Sequence, residues 1–156
     1  MRFKEQLQHA TVNQLNIRPP VTIAKSASVR DAVKKMRAAN MGCVIAVDDD
    51  DVAVGMFTEG MLRHAIYQSV GVLDDTVENQ MVARLPWVLP TDDIGMVLNA
   101  MEEHNVRFIA VLDDAHHVIG ITGQKSMLEF VADAFSIEAI NSDATSAEPV
   151  SHTKGN

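Results

Sequence analysis

The sequence predicts a mixed α+β fold: two strand–helix–strand–strand–helix copies (β-α-β-β-α) packed about a pseudo-twofold axis. Three observations predict it. The stretches "VGMFTEGMLRHAI" (Val54–Ile66) and "IGITGQKSMLEFV" (Ile119–Val131) are written alike: an apolar residue, a Gly, two strand-like residues, a break, then an amphipathic helix. Their glycines, Gly55 and Gly120, lie 65 residues apart, and a gapless slide by that offset lays Thr11-Val12 on Thr76-Val77, Val33 on Leu98, Met36 on Met101, Asn40 on Asn105 and Asp48-Asp49 on Asp113-Asp114. Two unbroken apolar runs, "CVIAV" (Cys43–Val47) and "FIAVL" (Phe108–Leu112), suit strands covered on both faces.

Each element follows in order. A short extended piece opens each copy, "VTI" at Val21–Ile23 and "WVL" at Trp87–Leu89. Ser28 is a good N-cap for the first helix, and Asp31 three residues on can return the bond to the cap. Val29, Ala32, Val33 and Met36 fall at helical spacing and form the buried stripe. In the second copy Asp93 is the expected cap, followed by Ile94, Val97, Leu98 and Met101. The apolar strand comes next, then an acidic turn, "DDDD" at Asp48–Asp51 and "DDAH" at Asp113–His116, then the strand leading through the Gly into the closing helix. Alone, about 50 residues bury too little surface to be comfortably stable, so the copies are expected to form one intertwined globule. The division expected is 1–10 an N-terminal segment, helical if Phe3 and Leu7 form its apolar edge; 11–70 the first copy; 71–75 a linker; 76–135 the second copy; and 136–156 a polar, largely disordered tail.

The bulk numbers narrow the function. The 156 residues are 47% hydrophobic and 22% charged, a globular composition. A formal charge of −8 argues against general nucleic-acid binding, which needs a basic footprint. No apolar run reaches the roughly 18 residues of a membrane span, and the start, "MRFKEQLQHA", has no secretory h-region. A cytoplasmic, reducing location is expected, and Cys43 within its apolar run is expected to be a structural thiol.

The duplicated order of elements, each copy ending in a Gly-led corner and a short helix, resembles tandem cystathionine-β-synthase (CBS) domains, the Bateman module. The resemblance covers roughly Thr11 to Phe135. It implies binding of an adenosine compound (AMP, ADP, ATP or S-adenosylmethionine) as a regulatory ligand, with no obligatory cofactor. In that family the corner commonly reads Gly-x-x-Thr/Ser-x-x-Asp. The Gly allows close backbone approach, the hydroxyl at a helix start favours a phosphate, and the carboxylate takes the ribose hydroxyls.

The first corner reads Gly55-Met56-Phe57-Thr58-Glu59-Gly60-Met61, with Met61 where the family has Asp. The second reads Gly120-Ile121-Thr122-Gly123-Gln124-Lys125-Ser126, with Gly123 in place of the hydroxyl and Ser126 in place of Asp. A hydrogen bond to a charged group contributes about 1.5–3 kcal/mol, so each missing carboxylate weakens binding by about one to two orders of magnitude. The resemblance completes each cleft from the opposite copy. The first corner then faces "NVRFIA" (Asn105–Ala110), with Arg107 as the phosphate contact. The second faces "NMGCVI" (Asn40–Ile45), with Gly42 at the matching place and Lys125 as the nearby cation. Met56, Ile23, Val106 and Ala110 are the candidates for the apolar slot around the ring.

Plainer readings stand beside these. Thr58 also serves as a helix cap, and Arg107 as a surface or interface ion-pair partner. Trp87 either packs half-buried or stacks on a base. The Asp48–Asp51 run and the Asp113-Asp114-His116-His117 cluster are commoner as turns than as metal sites, and no metal is expected. No Ser/His/Asp set, Walker loop or zinc-ligand spacing is present, so a non-enzymatic protein is expected; His64 is the single acid/base candidate near a cleft. Two functions fit. One is a regulatory pair that binds an adenosine-type nucleotide between its copies and signals through a homodimer to an unidentified effector protein. The alternative is a degenerate pair without nucleotide binding, a dimeric protein-interaction scaffold.

Overall fold

The structure, a computed structural model, describes residue 5 and residues 8–143, the side chains of 137–143 excepted. Phe3, Leu7 and the tail from residue 144 therefore lie outside the described residues.

Two three-stranded sheets form, each built by one copy. In the first, β1 (Thr22–Ala24) runs parallel to β2 (Cys43–Val47), with helix α1 (Val29–Ala39) as the crossover, and β3 (Ala53–Thr58) pairs antiparallel with β2. The second repeats this with β4 (Trp87–Val88), α4 (Ile94–His104), β5 (Phe108–Leu112) and β6 (Val118–Gly123). Within the two sheets the 65-residue offset holds to the residue. Thr22 pairs with Ile45 as Trp87 pairs with Ala110, and Cys43 pairs with Thr58 as Phe108 pairs with Gly123. Both hairpins carry their irregularity at the same place, Ala46/Val47 and Val111/Leu112. Turn chemistry explains the match. Asn40 and Asn105 end their helices with φ of 49° and 50°, in the left-handed region that Asn tolerates. The β2 run is buried at every residue, as strands covered on both faces require.

The caps differ between copies. Ser28 Oγ accepts from the Asp31 N–H at 3.1 Å. Asp93 occupies the matching cap position but makes no side-chain cap bond, correcting the expectation. Backbone carbonyls serve there instead: Ile94 N–H donates to the Ala10 carbonyl and Met96 N–H to that of Asp93.

The copies are intertwined. The segment around Ala10–Asn13 bonds to copy two, with Val12 N–H on the Asp92 carbonyl, and the segment around Asp75–Glu78 bonds to copy one, with Val77 N–H on the Ala27 carbonyl. The short turns Val12–Gln14 and Val70–Asp74 and the one-turn helix α3 (Val77–Gln80) belong to these exchanged segments. A single buried cluster holds Ile45 and Met56 of copy one together with Ala110, Leu112 and Ile121 of copy two. A second cluster joins Val12 and Leu15 to Val97, Ile109 and Met127. At about 25 cal/mol per Å² of apolar surface, exchange lets each half cover the other's core.

The closing helices are α2 (Glu59–Gln68) and α5 (Gln124–Asp143). Helix α5 continues through residues 136–143, which the sequence reading gave to a disordered tail. No helix among the described residues is long and apolar enough to cross a membrane.

Candidate functional site

Strand β3 delivers Thr58 to the start of α2, where its hydroxyl accepts from the Met61 N–H at 3.2 Å. Strand β5 of the other copy begins at Phe108, so Arg107 stands on the loop just before it. Between them lies a cleft of about 710 Å³ whose lining includes Met56, Thr58, Met61, Val106 and Arg107. Ligand pockets of that size hold molecules of nucleotide dimensions. One wall is apolar, from Met56, Val82 and Pro86; Arg63, His64, His104 and Arg107 make the lining basic. Among the described residues Glu59 is its one carboxylate. Arg107 is exposed, and the ion-pair reading finds no partner for it among the described residues.

Three residues proposed for this slot stand apart from the lining. Ile23 and Ala110 are packed into the core. Gly55 is buried, and a Cβ there would run into the Met81 side chain, so its smallness makes room for the exchanged segment and not for a ligand. Sequence reasoning missed Val82, Pro86, Arg63 and His104 as lining residues. Val82 and Pro86 arrive on the exchanged segment, where Met56 and Val82 trade backbone hydrogen bonds at 3.0 and 2.9 Å. Only for Arg63 was there a signal: helical side chains tilt toward the helix start, returning a residue five after the cap to the corner.

The second corner is built alike and furnished differently. Ser126 is 2% exposed, and its hydroxyl donates to the Asn16 carbonyl at 2.8 Å. Lys125 is exposed. Gly123 has φ of +147°, and a Cβ there would strike the Arg107 carbonyl oxygen, so a Thr does not fit this corner as folded. At Gly42, the place matching Arg107, the Glu59 carboxyl and the Phe108 ring lie 2.6 and 2.7 Å from where a Cβ would stand. The Glu59 carboxyl and the Phe108 ring thus fill the space that a side chain at Gly42 would need. Arg18 is half-buried beside Met41, with Nη1 3.7 Å from its sulfur.

The remaining candidates fall into structural roles. Burial pushes the Cys43 thiol up to about 12, which keeps it protonated and unreactive. The acidic turns use their carboxylates internally. Asp48 accepts from the Asp50 and Val52 N–H groups, and Asp113 from those of Ala115 and His117. The His117 N–H holds the Asp113 carboxyl below its ordinary value. Trp87 packs against the His116 ring at 4.7 Å between centroids, apart from the cleft lining.

Comparison with known proteins agrees with this fold. The CBS domain family model matches residues 12–68 and 76–133. Homoserine O-acetyltransferase of Methanosphaera stadtmanae is 27% identical over 119 residues, 76% of this chain and 22% of that protein. The chain spans 22–32% of the length of the curated relatives it matches. A CBS domain pair crystallised with 5′-methylthioadenosine and S-adenosyl-L-methionine superposes with a TM-score of 0.72 at 22% identity, covering 80% of this chain and 97% of that one. A CBS domain protein from Pyrobaculum aerophilum complexed with AMP gives 0.68 at 20% identity, covering 80% and 99%. At such identities the likeness speaks for the fold. With both copies matched by the family model, paired as the family's solved structures are, the chain belongs to the CBS domain family.

Proposed function

We propose that this chain is a regulatory CBS pair, not an enzyme, that binds an adenosine-type nucleotide in its first cleft and passes the binding on through a homodimer. The observation that carries the reading is the cleft itself: about 710 Å³, with an apolar wall for a ring and, opposite the Thr58 corner, an Arg107 without an ion-pair partner among the described residues for a phosphate. Complexes of structural neighbours with AMP and with S-adenosyl-L-methionine support the ligand class. The homodimer is supported by the closing helices. Helix α2 buries none of its residues, and Tyr67 is 93% exposed; on α5, Leu128 and Phe135 are 61% and 65% exposed. A ligand acts on such a dimer only through different affinities for its geometries. The effector that reads the geometry is a separate protein or an attached domain, and the cytoplasm is the expected setting.

Thermal unfolding with AMP, ADP, ATP and S-adenosylmethionine tests the reading, since a ligand bound to the folded state raises the melting temperature by mass action. A concentration-dependent rise with at least one of them is expected. Light scattering should give twice the 17.0 kDa chain mass. Met61 at the ribose position and the spent Ser126 favour a second reading, a dimeric scaffold that binds no nucleotide. A dimer whose melting point responds to none of the four would establish that instead.

A further inference from the structure

We propose that the first cleft selects ligands with two or more phosphoryl groups over monophosphates, and that Arg63 is the residue reading the second group. The proposal rests on the nucleotide reading above and narrows its ligand. Arg107 and Arg63 line the same cleft from opposite copies, and both are exposed. Among the described residues neither makes an ion pair. Arg63 reaches back along the helix toward the corner. A Cβ placed on Gly60 would stand 3.6 Å from the Thr58 hydroxyl and 3.8 Å from Arg63 Nη2, so both groups border the space above Gly60. The missing side chain at Gly60 keeps this space open.

The charge balance points the same way. Among the described residues two guanidiniums and one carboxylate, Glu59, line the cleft, and the Glu59 oxygen lies 2.6 Å from where a Gly42 Cβ would stand. In a chain of net charge −8, that leaves a local excess of positive charge without ion-pair partners among the described residues. One guanidinium fork and the Thr58 hydroxyl suffice for a single terminal phosphate; a second fork is matched only by a second phosphoryl group. No carboxylate stands at Met61 to read the ribose, so recognition moves toward the phosphates. The second corner lacks the device, having Leu128 where Arg63 stands and Lys125 where Gly60 stands.

Titration calorimetry on the full chain with AMP, ADP and ATP tests this, with orthophosphate and pyrophosphate run in thermal shift. ADP is expected to bind at least about tenfold tighter than AMP, as for one added charge-assisted contact. Arg63→Gln should bring ADP within about threefold of AMP while leaving AMP within about threefold of its original affinity. Equal binding of AMP and ADP by the unaltered chain, or an Arg63→Gln loss shared equally by both, overturns the selectivity and leaves the nucleotide reading standing. Protection by pyrophosphate and not orthophosphate, without response to any nucleotide, upholds the two-arginine site and overturns the adenosine reading. No response to nucleotides, S-adenosylmethionine or pyrophosphate overturns both.

Discussion

The two Gly-led corners share a backbone and little else. Strand register, hairpin irregularity and left-handed Asn caps repeat at an offset of 65 residues. Yet the first corner presents a hydroxyl, two guanidiniums and an open cleft, whereas the second presents a glycine against a carbonyl and a serine already bonded. Fold symmetry is held by many small apolar contacts and turn preferences, none decisive alone. A binding site depends on three or four side chains, so it diverges while the fold persists.

The largest expected effect tests the corners directly. Gly123→Ala places a Cβ against the Arg107 carbonyl at a backbone angle that side chains rarely adopt, and should cost roughly 3 kcal/mol or more of stability. The matching change Thr58→Ala removes only a cap bond and should cost about 1 kcal/mol. Chemical denaturation of both variants measures the gap; equal costs would mean the corners are alike after all.

Next comes Arg107→Ala. Nucleotide affinity should fall by one to two orders of magnitude, about 1.5–3 kcal/mol, while stability without ligand moves by less than about 0.5 kcal/mol. An unchanged ligand-induced melting shift would place the binding in the other cleft.

A smaller effect separates Thr122 from its counterpart Phe57. Thr122 is 2% exposed, and its hydroxyl has no hydrogen-bond partner among the described residues, whereas Phe57 fills its place with a ring. Thr122→Val should stabilise the chain by about 1 kcal/mol, read as a higher denaturation midpoint. A loss would reveal a bonded hydroxyl.

The smallest effect concerns the exchanged segments. Asp75 accepts from Gln80, Asn79 and the Thr76 N–H, which hold its carboxyl below the ordinary 3.8; its counterpart is Ala10, with no carboxyl at all. A lowered folded-state value means the contribution is present above pH 3.8 and is lost as pH falls through the lowered value. Asp75→Asn should therefore melt below the unaltered chain near neutrality and converge with it at the acid end; a constant gap would assign the loss to packing.

The sequence by itself determined the duplication, the order of elements, the Ser28 cap and the two-sided burial of β2, because these depend on local periodicity and on turn residues with few alternatives. The pairing of Thr58 with Arg107 came from the resemblance to the family and not from the residue pattern, and both residues line one cleft. Only the tertiary structure decided the furnishing of the clefts. Met56 pairs with Val82 in copy one, but Ile121 pairs with Arg18 in copy two, one residue out of the 65-residue offset. A slip of one residue turns different side chains to the same face, which is why Val82 walls one cleft and Arg18 stands beside Met41 at the other. Ser126 is likewise spent on a carbonyl 110 residues away. Such contacts follow from how the halves pack, and no local pattern encodes them.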